Sequence, residues 1–177
     1  MKLLTLLKTT FVSLMLTVSV AQASIIVSFD PSATEVSVGD TFTVDVLANT
    51  QDIFLDGFSA FDLDFSFDET LATLDNAVTG SLFVQSLFAF GDVAGFEAFL
   101  MSVTGTDILL ATLTFTANKV GALSLDLSSS SEFSSLFADV GFDSTALDIT
   151  VNAVSAPATL GLFGLSLLAM AGLRRKA

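Results

Sequence analysis

The sequence predicts an all-β, two-sheet sandwich, and three observations predict it. Apolar residues recur at every second position in several separate segments, the spacing of a strand with one face buried. Gly or Asp stands at the joints between these segments, and Thr is frequent on their polar faces. No helical spacers of the kind that parallel α/β architecture needs lie between them.

Along the chain, Val38-Gly39-Asp40 supplies a turn. Thr41 to Leu47 follows as a strand, with Phe42, Val44 and Val46 on one face and Thr41, Thr43 and Asp45 on the other. From Gly57 onward a half-buried strand sets Phe61, Leu63, Phe65 and Phe67 against Asp62, Asp64, Ser66 and Asp68. Between Ser81 and Val103 the apolar residues crowd together, as Leu82, Phe83, Leu87, Phe88, Phe90, Phe96, Phe99 and Leu100. That stretch reads as a short turn or helix near Ser86 and then a strand from Phe96 to Val103. Leu109, Ala111, Leu113 and Phe115 next alternate with Thr112, Thr114 and Thr116, and Leu123, Leu125 and Leu127 follow Gly121. Ser128 to Ser135 is a Ser-rich connection, and Leu147, Ile149 and Val151 close the series. No repeat at solenoid or propeller spacing is visible.

Both ends carry signals of export. Lys2 and Lys8 flank an apolar run through Val20, and Ala21-Gln22-Ala23 follows, the three zones of a cleavable secretory signal with cleavage after Ala23. At the other end Ala156 to Leu173 is an uncharged stretch of 18 residues, roughly 27 Å as a helix and just long enough to cross a bilayer core. Arg174, Arg175 and Lys176 would stop transfer there and leave the preceding domain on the far side. The expected organisation is therefore a signal helix over 1–23, one β-domain over 24–152, and a tail over 153–177 with a transmembrane helix at about 156–173 and a basic end at 174–177.

Charge is distributed unevenly. All nineteen acidic residues lie between Asp30 and Asp148, and Lys119 is the one basic residue of the domain, leaving one positive charge against nineteen negative, or −18. Such a surface repels nucleic acid phosphates and anionic lipid headgroups, so nucleic acid is excluded as a partner. There is no Cys, so packing rather than disulfides must hold the exported domain. His, Trp and Tyr are also missing, and eighteen Phe point to a core of large rings.

Two resemblances are carried by particular residues. Val36-Ser37-Val38-Gly39-Asp40-Thr41-Phe42-Thr43-Val44, then Gly57 to Phe65, then Leu113 to Ala117 with Gly121, resembles a cohesin-type domain. The resemblance implies a jelly-roll β-sandwich, in agreement with the alternation, and in cellulosomal members a dockerin as protein partner. The tail Val154-Ser155-Ala156-Pro157-Ala158-Thr159-Leu160, with its apolar run and basic end, resembles a PEP-CTERM sorting signal, although Ser155 and Ala156 stand where that family usually has Pro and Glu. This second resemblance implies processing by an exosortase after export by the Sec machinery. The expected route passes through the inner membrane of a Gram-negative bacterium to the cell surface or exopolysaccharide matrix. Membrane physics alone leaves an uncut anchor open.

Candidate chemistry is sparse. Without His or Cys there is no Ser-His-Asp or Cys-His nucleophile and no His-ligated metal. Paired carboxylates could still cleave glycosides, but no Trp or Tyr is present to hold a sugar. Asp62, Asp64 and Asp68 read as a solvated strand face. Calcium needs only oxygen ligands. Asp62-x-Asp64-x-Ser66 opens like an EF-hand loop, but Phe67 and Thr73 replace the required Gly and Glu. A looser calcium site from Asp139, Asp143 and Asp148, or from Asp30 with a neighbouring loop, stays open; no other cofactor is expected. The sequence thus points to a non-enzymatic envelope or matrix protein delivered by an exosortase, with a cohesin-like module for a protein or polysaccharide partner as the alternative.

Overall fold

In a computed structural model of the chain, the described residues are 24–50, 57–87, 90–99, 101–135, 138–154 and Phe163. The expected signal over 1–23 with Ala21 and Ala23, the sorting residues Ala156, Pro157, Ala158, Thr159 and Leu160, and the basic end Arg174, Arg175 and Lys176 lie outside them. So does the expected membrane span, apart from Phe163. Among the described residues no helix is long and apolar enough to cross a membrane.

From residue 24 to 154 the described chain forms strands and turns without a helix. The strands are β1 (Ser24–Pro31), β2 (Glu35–Ser37), β3 (Thr41–Thr50), β4 (Ala60–Leu63), β5 (Phe65–Ser66), β6 (Ala72–Thr79) and β7 (Val84–Gln85). They continue as β8 (Val93–Phe96), β9 (Ile108–Ala117), β10 (Gly121–Leu127), β11 (Glu132–Ser134), β12 (Asp139–Ser144) and β13 (Leu147–Asn152). One sheet runs β6-β9-β3-β1-β12-β11-β4-β8-β7, and a smaller one runs β2-β13-β10-β5. Pairing is antiparallel except where β1 lies beside β12 and β2 beside β13. At its two ends the large sheet meets itself, β6 touching β7 and β8, so it folds over around one core.

The alternation places the core. On β3, Phe42, Val44, Val46 and Ala48 are buried while the residues between them are half-exposed, and Leu123, Leu125 and Leu127 are buried on β10. The polar faces close their own bonds: Thr112 donates from its hydroxyl to Asp45 across the β3–β9 pair at 2.6 Å, and Thr116 to Asp75 at 2.6 Å. Gly39 has φ +91°, a conformation that favours Gly, and the Asp40 carboxylate receives the Ser37 amide at 2.8 Å to close the turn before β3.

Ring packing supplies much of the interior. Phe42 stacks on Phe115 at 5.5 Å, and Phe58 meets Phe133 edge to face at 5.4 Å. Phe61 meets Phe83 in the same way at 5.0 Å. With aromatic pairs each adding about 0.5–1.5 kcal/mol beyond their buried area, these contacts help to replace the disulfides the chain lacks.

Three expectations need correction. On β9 it is Ile108 and Leu110 that point inward beside Ala111, while Leu109 is only half-buried. Val46 pairs with Ala111 but Leu47 with Leu109, so Leu110 is an extra residue, and the bulge reverses the phase. The strand expected over Phe61 to Phe67 breaks at Asp64: β4 joins the large sheet and β5 the small one. The Ser-rich connection causes the break, since the Ser131 hydroxyl accepts the Asp64 amide at 3.0 Å and the Ser128 amide bonds the Asp64 carbonyl at 2.8 Å. The strand expected over Phe96 to Val103 is instead β8, which ends at Phe96. Glu97 then accepts the amides of both Phe99 and Met101 at 2.8 Å, closing a turn where a strand would have run.

A domain with this charge repels itself, and the compact state bears most of that repulsion. Raising NaCl from about 0.01 M to 1 M shortens the Debye length from roughly 30 Å to 3 Å. Thermal unfolding over that series should show Tm rising steadily; a flat or falling Tm would mean that the carboxylates are already neutralised in the fold.

Candidate functional site

The segment from Leu82 to Met101 departs most from the alternating pattern, and it carries the feature of greatest functional interest. Phe83 is buried, but Leu82, Val84, Leu87, Phe90, Phe99 and Met101 are exposed, Phe90 completely so (100%). Large apolar side chains open to water in one region mark interaction surfaces more often than isolated ones do.

Phe90 stands at the lip of a groove on the outside of the large sheet. Phe61 and Leu63 on β4, Val93 on β8 and Phe133 on β11 fill the inside, which leaves the intervening residues to the outer face. There Ala60, Ala94 and Ser134 form a floor of small side chains, with Phe90 and Phe96 as aromatic walls and Glu132 and Asp62 as acidic ones, around about 210 Å³. The register accounts for their proximity. Ala60 pairs with Phe96 and with Ser134, and Asp62 with Ala94 and with Glu132, so three segments distant in sequence meet on β4.

Asp62 fixes the lip. Its carboxylate accepts the Phe90 amide at 2.8 Å and the Gly91 amide at 2.9 Å, holding the turn that presents the ring. Gly91 permits the approach, because a Cβ there would collide with the Leu63 carbonyl and stand 2.9 Å from Asp62 Oδ1. Beneath the floor, a Cβ on Gly95 would lie 2.8 Å from the Phe61 ring.

The carboxylates expected to form one solvated face have separate structural roles. Asp62 holds the Phe90 turn, and Asp64 takes the Ser130 hydroxyl. Asp68 receives the Thr70 amide at 2.8 Å. The Thr70 hydroxyl and amide, assisted by Lys119, hold the Asp68 carboxyl below its ordinary range. Its small contribution is therefore present above the unfolded-state pKa and is lost as pH falls through the lowered folded value.

A second cleft of about 380 Å³ is lined by Asp64, Glu69, Asp92 and Thr73. Asp92 is engaged there by the Phe65 amide at 2.9 Å. Of the calcium candidates, Asp139 and Asp143 lie four residues apart on β12, about 13 Å along the strand, and Asp148 lies on β13 in the other sheet. Among the described residues no group of three or more carboxylates is close enough to hold a metal ion.

The fold is a β-sandwich of the cohesin type, as the comparisons with solved structures show. The third ScaB cohesin of R. flavefaciens, solved in complex with a group 1 dockerin, is similar over 75% of this chain and 98% of its own, with 21% identity and a TM-score of 0.60. The cohesin module of a Clostridium perfringens family 33 glycoside hydrolase matches over 75% and 99%, with 11% identity and a TM-score of 0.59. A non-cellulosomal cohesin of the archaeon Archaeoglobus fulgidus matches over 75% and 92%, with 16% identity and a TM-score of 0.55. No protein-family model and no curated protein matches the sequence.

Proposed function

We propose that the chain is an exported, non-enzymatic protein-binding module that engages its partner through the outer face of β11, β4, β8 and β7. The observation that carries this reading is the groove with a fully exposed Phe90 held at its lip by Asp62. An exposed aromatic ring on a turn fixed by two charge-assisted hydrogen bonds to its backbone is poised to be covered by a partner, and aromatic anchors in central pockets supply much of the affinity of protein interfaces. That the R. flavefaciens neighbour is a complex with a dockerin supports a protein as the ligand of this sheet framework. A hydrolytic role has no support in the groove, where Asp62 is committed to backbone amides and no His or Cys exists.

Capture from the producing cell with the full chain as bait provides the test. Wild type should retain one partner stoichiometrically, Phe90→Asp should lose it, and Val120→Asp, at an exposed position in the turn before β10, should keep it. Equal retention by all three, or no retention by wild type, would remove the reading.

The tail supports a second, compatible proposal about delivery. Pro157-Ala158-Thr159-Leu160, the apolar run and Arg174-Arg175-Lys176 suit an exosortase substrate that is first held in the inner membrane and then released to the cell surface or exopolysaccharide matrix. Mass spectrometry of the mature protein should find a carboxyl terminus upstream of the apolar run. A terminus at Ala177 in every cellular fraction would leave a plain anchor.

A further inference from the structure

The groove also constrains what can enter it. This inference rests on the docking reading above and specifies the partner: we infer that the groove takes an apolar side chain from a protein segment flanked by lysine or arginine. The small floor of Ala60, Ala94 and Ser134 between Phe90 and Phe96 accommodates one aliphatic or aromatic side chain. On the opposite wall Glu132 is exposed, and it is placed to meet a cation next to that side chain.

Charge decides among the occupants. The β-domain carries nineteen carboxylates and one lysine, so the β-domain of a second copy would bring the same sign of charge to the contact. An acidic partner meets the same opposition, whereas a cationic segment is attracted over a Debye length and oriented before contact. A neutral polysaccharide would gain nothing from the field, and the groove has no Trp or Tyr for a sugar to lie on.

The test uses the full chain in a non-ionic detergent and two short fluorescent peptides with the same central leucine and phenylalanine, one flanked by lysines and the other by glutamates. Fluorescence anisotropy should show binding of the lysine peptide and none of the glutamate peptide. Phe90→Ala should abolish the signal, and Glu132→Gln should weaken it at least five-fold. Asp148→Asn, on the other sheet, should leave it unchanged, and affinity should fall about ten-fold or more between low and high salt, as for electrostatically steered association. Equal binding of both peptides, or lysine-peptide binding indifferent to Phe90→Ala and reduced equally by Asp148→Asn, would overturn the inference, the latter pattern being general attraction to an acidic body. Self-association in sedimentation velocity that Phe90→Ala abolishes would overturn it in favour of a second copy. If the cellular capture yields a Phe90-dependent partner whose contact surface is neutral or acidic, the docking function stands and this inference fails.

Discussion

Phe133→Ala should destabilise the domain by about 3–5 kcal/mol, the range for removing a buried ring from a packed core. Phe133 is fully buried and lies at the centre of a ring cluster, 5.4 Å from Phe58, 6.4 Å from Phe61 and 5.5 Å from Phe142. Its strand β11 is only three residues long and carries Glu132 and Ser134 into the groove. Removing the ring therefore leaves a cavity directly below the docking face, with few ladder bonds to hold β11 in place. Chemical denaturation should show a lower midpoint with little change in slope. Phe133→Leu, which keeps most of the volume, should cost clearly less; equal costs for the two would mean that filling the space recovers nothing and that the whole loss lies in the ring contacts.

Gly91→Ala should damage stability and recognition together. The new methyl group would collide with the Leu63 carbonyl, a backbone atom at the end of β4 that cannot swing aside, and crowd the Asp62 oxygen that holds the Gly91 amide. Overpacking against well-packed surroundings costs about 1–3 kcal/mol, and relief requires the turn to move, taking Phe90 with it. The variant should thus melt earlier and lose the partner. Phe90→Ala separates the two effects, because a fully exposed ring contributes little to folding: it should lose the partner with an unchanged midpoint. If Gly91→Ala retained the partner while Phe90→Ala lost it, the presentation of the ring would not depend on this turn.

The strands that could be read along the chain are those with one undisturbed alternation. β3, β10 and β13 are of that kind, and their inward residues are those the period predicts. β9 was legible as a strand but not in phase throughout, because a bulge at Leu110 depends on its partner strand β3. β12 offered a readable signal, Val140 and Phe142 alternating with Asp139, Gly141 and Asp143, that the dominant Ser-rich run before it obscured. β1 was hidden by the run Ile25-Ile26-Val27, in which Ile26 faces outward despite being apolar. The functional groove was less legible still. Its parts lie near residues 60, 90 and 132, and only the pairing of β4 with both β8 and β11 assembles them. A crowd of Leu and Phe reads as core by composition alone. Phe90 is outside, and the turn that carries it is held by Asp62 bonding its amide, a long-range contact that no local period encodes.

Hydrogen exchange on the chain, free and saturated with its captured partner, tests the docking claim most directly. Protection should appear over Ala60–Leu63, Phe90–Phe96 and Glu132–Ser134, the three segments that meet in the groove, and be absent from β3 and β9. Protection confined to β3, β9 or the turn at Val38–Asp40, with the groove segments exchanging as in the free chain, would contradict it.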